Sequence, residues 1–192
     1  MMNIGYKRLV TLALVILASS ATAHASTAKK QLTLETEFAL ESPMARTVRV
    51  PPAVLQQLAA HHDVKDFLDG TRGSAAEVLG DFEAAPAHIN TDGAEDLVVR
   101  NSRLDGANIG PFWLFTRSAH GYNLVFFTRG LGISILKPVA HGYHDLKVSS
   151  ATAGELFETW YRFDGREYRA KECTSTDLST DRKVGVPCSG EP

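Results

Sequence analysis

The sequence is short of the features that most readily declare an activity. It has no G-x-S-x-G elbow, no phosphate-binding G-x-x-x-x-G-K-[ST] loop, no G-x-G-x-x-G dinucleotide fingerprint and no H-E-x-x-H zinc helix. Each absence removes the easiest route to a hydrolase, a nucleotide-dependent enzyme or a metalloprotease. Net charge is only −2, so the basic stripe that a nucleic-acid partner demands is missing. There is no repeat with a period of 20–50 residues, which excludes solenoids and propellers. After the N-terminal stretch no apolar run approaches the ~20 residues needed to cross a bilayer. Cysteine is scarce: Cys173 and Cys188 are the two in the chain.

What is present begins at the N-terminus. Lys7 and Arg8 precede the apolar run Leu9–Ala18, and small residues follow, with overlapping A-x-A options at Ala21–Ala23 and Ala23–Ala25. This order of charge, short apolar segment and small-residue exit predicts a cleavable export signal over residues 1–25. The apolar run is about half the length of a membrane span. No cysteine near the cleavage site offers a lipid attachment point, and there is no twin-arginine pair. The expectation is release as a freely diffusing periplasmic domain of residues 26–192, slightly more acidic once Lys7 and Arg8 are gone. In an oxidising compartment an even cysteine count reads as a disulfide. Closing a loop of about 15 residues between Cys173 and Cys188 stabilises by roughly 3 kcal/mol and pins the polar tail 174–192 to the last strand.

Along the mature chain, Leu32–Leu40 alternates apolar and polar residues as a half-buried strand does. Pro51-Pro52 opens one helix, with Val54, Leu55, Leu58, Ala59 and His62 at helical spacing, a stop at Gly70 and a candidate break around His61-His62-Asp63. From there strand-like runs follow at Val78–His88, Asp96–Ser102, Phe112–Arg117, Tyr122–Thr128, Ile133–Leu136, Tyr143–Ser149, Glu155–Phe163 and Arg166–Glu172. The expected fold class is α+β, mainly β: an antiparallel meander of about six to nine strands in a single domain, with one helix packed on it.

Two hairpins can be registered. A two-residue type I′ turn at Asp164-Gly165 would set Tyr161 opposite Tyr168, Arg162 opposite Glu167 and Trp160 opposite Arg169, leaving Trp160 on a wet face. A turn at Ser118–Gly121 would set Phe115 opposite Leu124, Leu114 opposite Val125 and Trp113 opposite Phe126. Both faces of the second hairpin are apolar, so it belongs inside a sheet covered on both sides, one of them by the helix.

The sharpest local pattern is His88-Ile-Asn90-Thr-Asp92-Gly93-Ala94-Glu-Asp96. It resembles the D-x-N-x-D-G-x-x-D loops that bind calcium between strands. Asn90, Asp92 and Asp96 fall on side-chain ligand positions, the Ala94 carbonyl on the backbone position and Gly93 on the bend. His88 stands where the pattern has its first aspartate, and imidazole is a poor calcium ligand. Calcium is the one cofactor this loop implies; the competing reading is a plain turn folded by Asn, Asp and Gly. His141 and His144 have H-x-x-H spacing, but residues three apart on a strand point to opposite faces, which disfavours zinc. His61-His62-Asp63 reads as an exposed helix segment.

The order of these elements is similar to that of a group of small exported proteobacterial proteins. The carrying segments are NTDGAEDLVVR, GANIGPFWLFTRSAHGYNLVFF, GYHDL and YRFDGREY ending at Cys173, spanning roughly residues 77–173. Members of that group include periplasmic immunity proteins against peptidoglycan-degrading toxins, and their fold resembles that of invertebrate-type lysozyme inhibitors. The resemblance implies a protein without catalytic residues that blocks the cleft of a lysozyme-like toxin with loops on a rigid β scaffold. Interface hot spots favour Trp, Tyr and Arg. On that reading the partner-facing residues are His120, Tyr122, His141, Tyr143, His144, Asp145, Trp160 and Arg169, with Tyr122 and Tyr143 equally readable as core or rim packing. This chain lacks the lipid-bearing cysteine of many relatives. The alternatives are a calcium-braced structural or carbohydrate-binding module, and a metal-dependent hydrolase using His141, His144 and Asp145.

Overall fold

The computed structural model describes residues 35–70 and 74–188. The expected export signal and the start of the Leu32–Leu40 run lie outside the described residues; the run contributes a short strand, β1 (Glu37–Ala39). The expected helical segment is divided at His61 into α1 (Pro52–Ala60) and α2 (His62–Gly70). Pro51 is extended and Pro52 lies in the first turn, where its missing N–H is no loss. His61 is extended and its N–H returns to the Leu58 carbonyl, so the helix stops there and restarts. The His61 ring packs on Trp113 and Phe127, at centroid distances of 5.6 and 4.4 Å. Burial first, then His62, pushes the His61 pKa below its ordinary value, with Asp63 opposing. The reading of His61-His62-Asp63 as exposed is therefore corrected: only His62 is exposed.

A further helix, α3 (Ala75–Gly80), occupies the start of what reads as the strand Val78–His88. The Ser74 side chain accepts from Glu77 N–H and caps it. The strand proper is β2 (Phe82–Ala87). It is followed by β3 (Asp96–Asn101), β4 (Gly110–Ser118), β5 (Gly121–Gly130), β6 (Gly132–Ala140), β7 (Tyr143–Ala151), β8 (Glu155–Phe163), β9 (Tyr168–Asp177) and β10 (Arg182–Gly185).

The fold is α+β and mainly β, and its strands divide into two antiparallel sheets rather than one meander. One sheet has the order β2-β3-β4-β5, the other β1-β6-β7-β8-β9-β10. Alternation sorts the side chains of β4. Phe112 and Leu114 enter the core between the sheets, with Phe126, Ile133, Leu146, Val148, Tyr161 and Phe163. Trp113 and Phe115 enter a second core under the helices, with Val54, Leu58, Val64 and Val78. All four β4 residues are fully buried, each worth roughly 1.5–3 kcal/mol of apolar transfer. The layers thus run helices, four-stranded sheet, six-stranded sheet. Since Leu146 and Val148 point inward, Lys147 points to the opposite, outer face of the larger sheet, and so does its neighbour Trp160.

Both hairpin registers change part-way. β4 and β5 pair Phe115 with Leu124 as expected, but a bulge then sets Leu114 opposite Phe126 and Trp113 opposite Phe127. β8 and β9 join through Asp164–Glu167 rather than a two-residue turn, because Asp164 Oδ1 accepts the N–H groups of Arg166 (2.8 Å) and Glu167 (2.9 Å). That four-residue loop pairs Phe163 with Tyr168 and Arg162 with Arg169, and a bulge between Trp160 and Tyr161 then sets Trp160 opposite Glu172. The expected Tyr161–Tyr168 and Trp160–Arg169 pairs are not formed. Trp160 instead lies under Lys183 Nζ, 4.8 Å from the ring centroid.

Cys173 and Cys188 are bonded, with their Cα atoms 5.3 Å apart. The tail they close is more ordered than its composition suggests, since β10 pairs with β9 along the sheet edge. Among the described residues no helix is long and apolar enough to cross a membrane.

Candidate binding end

Four connections meet at one end of the two sheets. They are residues 88–95 between β2 and β3, Ala119-His120 between β4 and β5, His141-Gly142 between β6 and β7, and Asp164–Glu167 between β8 and β9. The sheets are joined here by the pairing of Asn90 with Tyr143. Thr91 donates from both its N–H (2.9 Å) and its hydroxyl (3.2 Å) to the Gly142 carbonyl, and His144 N–H donates to the Ile89 carbonyl at 2.9 Å. The His141 ring lies against Gly165, where an added Cβ would meet Nδ1 at 3.5 Å. His141 is itself left-handed, at φ 50°, and Gly142 (φ 79°) completes the turn.

The 88–96 loop is held from inside. Asp96 is fully buried. Its Oδ2 accepts Ile89 N–H (2.8 Å) and Asn90 N–H (3.2 Å), and its Oδ1 accepts Arg117 N–H (2.8 Å). Burial pushes the Asp96 carboxyl above its ordinary range, against the three donors that favour its charged form, with Asp92 adding to the rise. Asp92 Oδ1 accepts Ala94 N–H at 2.7 Å, and Asn90 Oδ1 accepts Asp92 N–H at 3.1 Å. Gly93 takes the bend at φ 79°. His88 Nδ1 lies 3.1 Å from the Ala94 carbonyl, the backbone oxygen a calcium ion would require.

These residues do not fit a calcium ion as arranged. The Asp96 carboxylate is engaged by three backbone donors, the Ala94 oxygen faces an imidazole, and the first ligand position offers nitrogen instead of oxygen. Hydrogen bonds close the loop on their own.

The other expected site residues separate into three groups. His120 and His141 are exposed on the turns of this end, and Arg169 reaches back to it through ion pairs with Asp164 and Glu167. Tyr122 is half-buried against the helix-side core, and its carbonyl accepts from Gln57 Nε2 at 2.8 Å. Tyr143 stacks on Phe163 with centroids 4.0 Å apart. His144 Nδ1 is 2.8 Å from the Leu136 carbonyl, and the buried Asp145 is clamped by Arg162 at 2.6–3.2 Å. Tyr143, His144 and Asp145 are thus committed to packing and ion pairing. His141, His144 and Asp145 are not brought together as metal ligands; among the described residues the one such trio is His61, His62 and Asp63. Trp160 sits apart on the outer sheet face, beside the Lys147–Glu158–Lys183 ion pairs.

Sequence reasoning missed Thr91, Arg117 and Arg166 as parts of this end, because strand order alone does not say which loops share an end. Comparison with protein-family models, with curated proteins and with solved structures returns no match.

Proposed function

We propose that this protein is an exported inhibitor, an immunity protein that binds a peptidoglycan-degrading hydrolase and blocks its cleft with the loop end described above. The observation that carries this reading is the convergence of four connections from both sheets, cross-braced by Asp96, Thr91 and the His141–Gly165 contact. Binding loops on a rigid frame lose little entropy on docking. The exposed side chains there include His88, His120, His141, Arg117 and Arg166 as donors, interspersed with Asp92, Asp164 and Glu167. Glycan hydrolases work through a pair of carboxylates flanking the scissile bond, and donors of this kind complement such a cleft.

The predicted leader and the Cys173–Cys188 bond support a periplasmic setting, where a wall hydrolase would be met. A carbohydrate-binding role has weaker support, because Lys183 already covers the Trp160 ring. The test is inhibition of a panel of purified lysozyme-like and other wall hydrolases, including any toxin encoded beside this gene. The expected result is stoichiometric inhibition of at least one, weakened tenfold or more by combined His120→Ala, His141→Ala and Arg166→Ala. Inhibition of none, or inhibition that the triple variant leaves intact, refutes the reading.

A further inference from the structure

The break between α1 and α2 places three metal-ligating side chains in one spot, away from the loop end. His61 closes α1, and His62 and Asp63 open α2. One ligand atom from each lies within 4.8 Å of the other two, and His62 Nε2 is already 3.1 Å from Asp63 Oδ1. Ligands on a tetrahedral ion with bonds of about 2.0–2.1 Å stand roughly 3.3 Å apart. The His62–Asp63 separation is therefore already near that value, and His62, with 69% of its side chain exposed, has room to turn from its stack on His61, at a centroid distance of 4.4 Å, to complete the set.

Three further features fit a bound cation. The His61 ring is fixed edge-on to Trp113 and against Phe127, so one ligand is positioned in advance. Its Nδ1 is buried and has no hydrogen-bond partner, an arrangement that is costly unless something engages that atom. Asp63 is oriented through its second oxygen by Arg129, which is anchored in turn on the Leu104 carbonyl at 2.8 Å. Oriented ligands of this kind, with an outer partner holding the carboxylate, are the usual support of a metal site.

We infer that His61, His62 and Asp63 bind a divalent transition-metal ion of the zinc class. Two imidazoles and one carboxylate suit zinc, copper or nickel and do not suit calcium or magnesium. Three protein ligands leave a coordination position for water. The adjacent Arg129 cation keeps the affinity moderate, so the site takes up free ions rather than holding a permanent structural one.

The test uses tag-free protein, zinc competition against a chromophoric chelator, and the d–d spectrum of the cobalt-substituted form. One equivalent should bind with a micromolar Kd, and cobalt should give the intense visible bands of a low-coordinate site. His62→Ala removes an exposed side chain and leaves the fold in place; it should weaken binding tenfold or more. His141→Ala and His144→Ala should leave it unchanged. Asp63→Asn should also weaken binding, with a melting curve confirming that it stays folded despite losing the Arg129 ion pair. Absence of stoichiometric binding overturns the proposal, as does binding that survives His62→Ala or is lost in His141→Ala.

Discussion

Replacing Asp96 with alanine isolates what holds the loop end together. The carboxylate accepts three backbone N–H groups, from Ile89, Asn90 and Arg117, at 2.8, 3.2 and 2.8 Å. These donors belong to the 88–95 loop and to the end of β4, so one side chain ties them together. Alanine leaves all three without a partner, at roughly 1–3 kcal/mol each where water cannot reach them. Part of this is offset, because the carboxylate is itself buried at a cost that shows in its raised pKa. The net expectation is a loss of about 3–5 kcal/mol, which in a domain of this size lowers Tm by about 10 °C. Asp96→Asn should recover part of the loss, since its carbonyl oxygen can still accept the Ile89 and Asn90 N–H groups while its NH2 group faces the Arg117 N–H.

The pH dependence has a definite sign. The folded state holds the Asp96 proton more tightly than the unfolded state does. Its contribution to stability therefore falls as pH rises from the ordinary carboxylate range through the raised folded value, and is flat above that. Asp96→Asn should lack that segment of the curve. The assay is urea unfolding across pH 4–8, with and without a chelator. An Asp96→Ala variant within about 1 kcal/mol of the parent would refute the account of the loop, as would a loss seen only when calcium is supplied.

Other outcomes follow from the same contacts. Millimolar calcium should leave Tm within about 1 °C of the chelated protein; a rise of several degrees that Asp92→Ala abolishes would restore a metal-braced loop. The Glu158 carboxyl is held below its ordinary value by the Lys183 hydrogen bond first and by Lys147 next, against burial. Its contribution should be complete above the ordinary carboxylate value and lost as pH falls through the depressed one, and Glu158→Gln should flatten that part of an acid-unfolding curve. Reducing the Cys173–Cys188 bond should cost roughly 3 kcal/mol and raise hydrogen exchange in β10 ahead of the rest of the larger sheet. Uniform exchange across that sheet would show that β10 holds without the bond.

Much of the local structure was legible because it rests on local rules. Pro51-Pro52 marks a helix start, and the two-sided apolar run Phe112–Phe115 marks a strand covered on both faces. Ser74-Ala-Ala-Glu77 is a capping-box signature, and reading it would have separated α3 from β2. The registers were less accessible. A bulge between Leu114 and Phe115, and the choice by Asp164 of a four-residue loop, are settled by side-chain hydrogen bonds and packing beyond the turn itself. The calcium-like spacing of Asn90, Asp92 and Asp96 was equally visible, but not that Asp96 turns inward to the backbone.

By itself the sequence determined the fold class, the disulfide partners and the absence of a familiar catalytic motif, since these follow from periodicity, cysteine count and residue spacing. Only the tertiary structure decided that the strands divide into two sheets, that four connections share one end, and that His61 lies half-buried beside Asp63. Which loops and side chains meet depends on how strand pairing and layer packing bring distant segments together, and no local pattern in the chain encodes that.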